Sequence, residues 1–282
     1  MEAEMTEFLE TGGGRIAYDV TGEGPLVVLV PGMGNNRAAY RFLAPLLAAG
    51  GYRVASTDLR GQGESSVGWP SYTRTDTAQD LLAMIRHLGG PAVIIGHSFS
   101  GGSATIAAAQ APDLVSAVVE IGTFTRVPKT SVAALITNRP YRRGGLRLMG
   151  TMMTGNLKMW ASYLDIAFPG TKPADYREAT GALLANLREP GRTKVLQKMS
   201  QSKPADAEAK LASITCPALI IMGSLDSDWP DPQAEGQAIV AAMPPGLGEL
   251  VMIGGAGHYP HTQFPEQVAA VVLPFLKEHV GA

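Results

Sequence analysis

Ser98 stands in Gly96-His97-Ser98-Phe99-Ser100, after the apolar run Pro91-Ala92-Val93-Ile94-Ile95 and before a run of small residues, Gly101 to Ala109. A strand, a sharp turn and a helix with a serine at the apex make a nucleophile elbow, in which a strained turn lifts the hydroxyl clear of a sheet. The two backbones come close there, so the residues two before and two after the serine must be small. Gly96 meets this fully and Ser100 less comfortably. A serine hydroxyl is a poor nucleophile at its own pKa, so the elbow calls for a base and for a carboxylate that orients the base. These are expected in the order serine, acid, histidine, each at the end of a later strand. Cys216 to Met222 reads as a buried strand followed directly by Gly223-Ser224-Leu225-Asp226, and Glu249 to Ile253 as another, closed by Gly254-Gly255-Ala256-Gly257-His258. Asp228, Asp231 and Glu120 are alternative acids. Among the other histidines, His261 suits a surface or supporting position, His97 should point away from its neighbour Ser98, and His87 and His279 read as helix-end residues.

With these motifs in place, the chain resembles the α/β-hydrolase superfamily over nearly its whole length. Pro31-Gly32-Met33-Gly34 stands where that family has its oxyanion loop, and Asp58-Leu59-Arg60-Gly61-Gln62-Gly63-Glu64-Ser65 where it has a loop after an early strand. The resemblance implies a triad of Ser98, Asp226 and His258, the Gly223-x-x-Asp226 spacing selecting Asp226 over its rivals. It also implies an oxyanion hole built from the backbone N–H groups of Met33 and Phe99. Pro31 departs from the family's usual histidine, which leaves the Met33 amide in place but removes the histidine's support of the loop. Asp58 and Arg60 are structural in such a loop. The activity implied is hydrolysis of a carboxylic ester or lactone through an acyl-enzyme, without a cofactor. Two other readings share these motifs. Ser100 also occurs in relatives of the strigolactone and karrikin receptors, where slow hydrolysis serves ligand sensing, and the same triad supports cofactor-free perhydrolases and C–C bond hydrolases.

The elements that must hold these groups alternate along the chain. Glu7 to Glu10 and Arg15 to Val20 flank three glycines as a hairpin; Leu26 to Val30, Tyr52 to Thr57 and Ala117 to Gly122 read as strands, and Asn36 to Ala49 and Thr75 to Leu88 as helices. This spacing predicts an α/β fold, a mostly parallel central sheet with helices on both faces and functional residues at the C-terminal strand ends. The alternation stops between residues 128 and 205, where the resemblance implies a helical cap over a core made of residues 1–127 and 206–282. Met149, Met152, Met153 and Met159 in that segment are expected in the cap's own core, or lining a pocket tolerant of apolar shapes. From Ile121 to Leu164 there are seven cations, Arg126, Lys129, Arg139, Arg142, Arg143, Arg147 and Lys158, and no acid. They read as a solvated basic face; if they instead face the cleft they would draw in anionic substrates.

Composition sets the remaining bounds. At 282 residues and 45% apolar content the chain can bury a sizeable core, and the net charge of −2 offers no global attraction for nucleic acid. The single cysteine, Cys216, excludes an internal disulfide. The acidic start, Met1 to Glu7, lacks the basic and apolar regions of a signal peptide, and no apolar stretch approaches the ~18 residues of a membrane span, so a cytoplasmic protein is expected. His258 and His261 with nearby carboxylates offer metal-ligand types but no helical His-Glu motif or cysteine pair, and Gly32-Met33-Gly34 lacks the third glycine of a dinucleotide loop. Neither a metal nor a nucleotide is expected, and the partner is a small-molecule ester or lactone.

Overall fold

The computed structural model describes residues 6–281; the expected absence of a signal peptide rests on Met1 to Glu7, which as far as Met5 lies outside the described residues. The chain opens with strands β1 (Glu7–Thr11), β2 (Gly14–Thr21) and β3 (Leu26–Val30), then helix α1 (Leu43–Ala49), β4 (Arg53–Thr57), α2 (Arg74–His87), β5 (Ala92–His97), α3 (Phe99–Gln110) and β6 (Val115–Ile121). Helices follow without a strand: α4 (Val132–Thr137), α5 (Arg139–Thr154), α6 (Leu157–Ala167), α7 (Tyr176–Arg188), α8 (Arg192–Ser200) and α9 (Ala205–Glu208). Then come β7 (Ala218–Gly223), α10 (Pro232–Ala241), β8 (Gly248–Ile253), α11 (Pro260–Gln263) and α12 (Pro265–Val280).

The eight strands form one sheet in the order β1-β2-β4-β3-β5-β6-β7-β8. The β1 and β2 pairings are antiparallel, and from β4 onward every pairing is parallel. Every residue of β3, β5 and β7 is buried, as strands covered on both faces must be, which is why they read as unbroken Val/Ile/Leu runs. Alternate side chains divide between the faces. Val28 and Ile94 pack with Leu81 of α2 and Ile106 of α3, whereas Leu29 and Ile95 pack with Leu47 of α1 and Val272 of α12. The chain goes from β3 outward to β4, then crosses back to place β5 on the other side of β3. The loops leaving β3 and β5 therefore diverge at a topological switch point, where such sheets form their crevice.

One predicted helix is interrupted. Asn36 to Ala49 is a short 3₁₀ turn, Arg37–Tyr40, capped by the Asn36 side chain, followed by the separate helix α1. A continuous helix would need an N–H from Pro45 to the carbonyl of Arg41, which proline lacks and its ring obstructs. In the first turn of α1 the missing N–H has no consequence.

Helices α6, α7 and α8 enclose a second apolar cluster, Trp160, Tyr163, Leu164, Phe168, Leu187 and Leu196, against Met33 and Tyr259 of the strand-end loops. Polar ties fasten it down: Arg41 pairs with Asp175, Asn186 donates to the carbonyl of Gly63, and the His258 N–H to that of Ala167. The methionines do not share this interior as expected: Met149 and Met153 are 59% and 76% exposed, and only Met152 packs against the cluster from its edge. On α5 the buried face is carried by Gly144 and Thr151 instead. Among the described residues, no helix is long and apolar enough to cross a membrane.

Candidate active site

Ser98 turns at φ 53° and ψ −114°, alone among the described non-glycine residues in having a positive φ. Such a backbone costs about 1–3 kcal/mol and persists only where its surroundings hold it. Here the Ser98 N–H donates to Ile121, and the Ser98 carbonyl accepts from Gly101 and Phe124. A Cβ at Gly96 would collide with the carbonyl of Ser100, so only glycine fits two residues before the apex. Ser100 is accommodated by use of its hydroxyl, which donates to the Pro31 carbonyl at 2.6 Å. That bond ties the elbow helix to the loop after β3, supplying support where a histidine is missing. Gly32 of the same loop lies so close that a Cβ would stand 2.9 Å from that of Ser98.

The structure brings the three predicted side chains together from the ends of β5, β7 and β8. His258 Nε2 lies 2.9 Å from Ser98 Oγ, and its Nδ1 lies 2.9 Å from Asp226 Oδ2. With the proton on Nδ1, the imidazole donates to Asp226 and accepts from the serine hydroxyl. All three groups are nearly fully buried. The backbone N–H groups of Met33 and Phe99 have no acceptor among the described residues, that of Phe99 because the first turn of a helix offers none.

The rival acids lie elsewhere or do something else. Asp231 caps α10 through the Ala234 N–H, and Glu120 sits beneath the elbow helix, accepting from Thr105 and Thr125. Asp228, by contrast, is in the site together with Asp226. Its Oδ2 is 3.6 Å from His258 Nε2 and accepts from the Tyr163 hydroxyl at 2.6 Å, while its N–H donates to Asp226. Burial alone would disfavour the imidazolium, but Asp226 and Asp228 together outweigh it and hold His258 up to about 9. Burial, with the Asp226 charge adding to it, pushes the Asp228 carboxyl above the ordinary range against the pull of His258.

The remaining histidines differ in part from expectation. His97 turns away from Ser98, and its Nε2 lies 2.9 Å from the His258 carbonyl oxygen. His261 is completely buried between Tyr40 and His97, neither ring nitrogen having a partner among the described residues, so it is not a surface residue. Its place in α11, directly under the loop that carries His258, sends it inward. Asp226, Asp228 and His258 together offer donors a metal could use, all within 4.8 Å. The 2.9 Å between Nδ1 and Oδ2 is, however, the spacing of a shared proton, and a zinc ion would stand ~2.0–2.2 Å from each ligand.

A cavity of about 210 Å³ opens over Ser98. It is walled by Met33, Phe99, Phe124, Trp160 and Met199, with Arg74, Lys203, Asp228 and His258 as the groups that carry charge. None of the seven cations between Ile121 and Leu164 reaches it. Arg139 and Arg143 line a separate outer cleft behind the Asp226 loop, and Arg126 pairs with Glu235. Sequence reasoning weighed Asp228 only as a substitute for Asp226, and it missed Arg74 and Tyr163, which arrive from distant helices with no local motif.

Fold and strand-end loops together define an α/β hydrolase: residues 27–271 match the profile of the alpha/beta hydrolase family, and the chain belongs to it and is a hydrolase. Similar proteins include the 2-(acetamidomethylene)succinate hydrolase of Mesorhizobium japonicum, 27% identical over 93% of this chain and 92% of its own length. The pimeloyl-[acyl-carrier protein] methyl ester esterase of Neisseria meningitidis is 27% identical over 89% of this chain and 76% of its own. Among solved structures, a thermophilic esterase from Thermogutta terrifontis superposes with a TM-score of 0.76 at 23% identity, covering 98% of this chain and 100% of that one.

Proposed function

We propose that this hydrolase cleaves a small carboxylic ester or lactone through an acyl-enzyme, with Ser98 as nucleophile, His258 as general base and acid, and Asp226 as the group that orients His258. The reading rests on one observation, the unbroken run of 2.9 Å contacts from Ser98 through His258 to Asp226 at the switch point of the sheet. As Ser98 Oγ attacks the carbonyl carbon, its proton passes to His258 Nε2 and the carbonyl oxygen becomes an oxyanion. The Met33 and Phe99 amides, which have no other acceptor, stabilise that charge. Collapse of the intermediate expels the alkoxide, which takes the proton back from Nε2. Water then repeats the sequence on the acyl-serine. Asp226 keeps the proton on Nδ1 throughout and stabilises the imidazolium. We take residues 128–205 as a cap that closes this site over a core of residues 1–127 and 206–282. The similarity to a succinate-derivative hydrolase and to a methyl ester esterase supports this reading.

The test is Ser98→Ala with a fluorophosphonate probe. The wild type gains one adduct by intact mass, and the alanine variant gains none and loses kcat by roughly 10⁶-fold, with its circular dichroism unchanged. Labelling of the alanine variant would remove Ser98 from the reaction.

A further inference from the structure

Two arginines are buried in this protein, and they are treated differently. Arg60 is held by Asp80 through two bonds of 2.7 Å and by Asp76 at 3.4 Å. Arg74, only 5% exposed, has no carboxylate within 4.0 Å among the described residues. The nearby Asp206 gives its oxygens to the Thr75 hydroxyl and the Ala207 N–H. The hydrogen bonds of the Arg74 guanidinium all leave from Nη1 and go to Ser202, and its Cζ lies 4.4 Å over the ring of Phe99. Nε is enclosed against Gly102 with no acceptor. Nη2 also has none among the described residues.

Arg74 lines the cavity over Ser98. We propose that it is a carboxylate receptor, and that the substrate is a small ester or lactone carrying a carboxylate; this rests on the serine hydrolase reading above. A buried cation without a counter-charge is unfavourable, and it becomes favourable when a ligand supplies the missing anion, more so between apolar walls than in water. Burial pushes the Arg74 guanidinium down to about 10, against the pull of Asp206, yet leaves it charged at neutral pH. Lys203, on the same cavity and exposed, adds a second positive charge. Asp228 is the one acid there, and its carboxylate is already engaged by Tyr163 and faces His258. The receptor and the reaction centre are also within one small molecule's reach. Arg74 sits over the ring of the residue whose N–H is offered to the oxyanion, and it shares one cavity of about 210 Å³ with Ser98 and His258.

The experiment compares monomethyl esters of unbranched dicarboxylic acids of four to six carbons with methyl butyrate and methyl valerate, by pH-stat, in the wild type, Arg74→Met and Arg74→Lys. The wild type should prefer at least one half-ester about tenfold or more in kcat/KM. Arg74→Met should lose about 10- to 100-fold more on that half-ester than on the neutral esters, with partial recovery in Arg74→Lys. A second measurement needs no turnover: calorimetric titration of Ser98→Ala with succinate, glutarate and adipate should give saturable binding that Ser98→Ala, Arg74→Met lacks. If Ser98→Ala still hydrolyses esters, the nucleophile is wrong, and the titration decides the receptor independently. Absence of any half-ester preference in the wild type, or an equal loss on both ester classes in Arg74→Met, overturns the proposal and leaves Arg74 as a tie between α2 and Ser202. If Arg74→Met does not fold, Arg74→Lys and Arg74→Gln carry the same comparison.

Discussion

His258 is flanked by two carboxylates that act on different nitrogens, and their substitutions should separate. Asp226→Asn presents an amide that can hold the imidazole in the wrong tautomer, and kcat should fall on the order of 10⁴-fold. Asp228 touches neither the Nδ1 proton nor Ser98, so Asp228→Asn should reduce kcat far less. Its effect belongs on the pH axis. In the proposed mechanism only neutral His258 accepts the serine proton, so kcat/KM should rise with pH as the imidazolium deprotonates, and the two acids that hold its pKa up should displace this rise above the free histidine value of ~6.5. Removing the Asp228 charge should move the rise back toward neutral pH. A profile that is identical in wild type and Asp228→Asn between pH 5 and 9.5 would show that Asp228 does not act on the imidazole. The sequence put Asp226 and Asp228 on one loop but could not say that both face the same ring, because that depends on how the loop curls after β7.

At the scale of elements, the join between elbow and oxyanion loop carries the finest tolerances. Gly32→Ala places a methyl against Ser98 and His97 and must displace the loop that holds the Met33 amide. Loss of one such donor costs about 10²–10³ in kcat, and that is the expected outcome, with thermal stability less affected. Ser100→Ala removes the hydroxyl from the Pro31 carbonyl, and should cost about 1 kcal/mol in urea denaturation together with a smaller drop in kcat. If Ser100→Ala leaves kcat unchanged, the loop is set by Gly32 packing alone. The strands and the elbow were legible because apolar runs bounded by glycine leave little freedom in pairing. The helices after β6 were not, since their apolar residues divide between the cluster under Trp160 and an exposed face. The exposed Met149 and Met153 follow the same helical spacing as residues that are buried.

At the scale of the whole molecule, burial of neutral histidines writes a pH dependence into stability. Burial and the charges of His258 and Arg41 push His261 down to about 3, so the unfolded chain takes up a proton first as pH falls. The stability linked to neutral His261 is complete above ~6.5 and is lost toward pH 3 at about 1.4 kcal/mol per pH unit. His261→Phe fills the same aromatic space without a titrating group. Its stability relative to wild type, from urea denaturation at pH 7, 6 and 5, should therefore rise as pH falls; a constant difference would mean that His261 takes up its proton as readily in the fold as in the unfolded chain. The mostly parallel sheet was readable from alternating strands and helices, but the inward turn of His261 was not, because it depends on where α11 lands against the Arg37–Tyr40 turn. The position of β8 has a consequence for biosynthesis. It is last in the chain and last in the sheet, and His258 follows it, 160 residues after Ser98. In the proposed mechanism a nascent chain emerging from the ribosome can have its elbow and oxyanion loop formed while lacking its base, so it should turn over substrate only after the final strand has docked. On the proposed mechanism, a chain cut short before β8 should be inert however much of the sheet it has built.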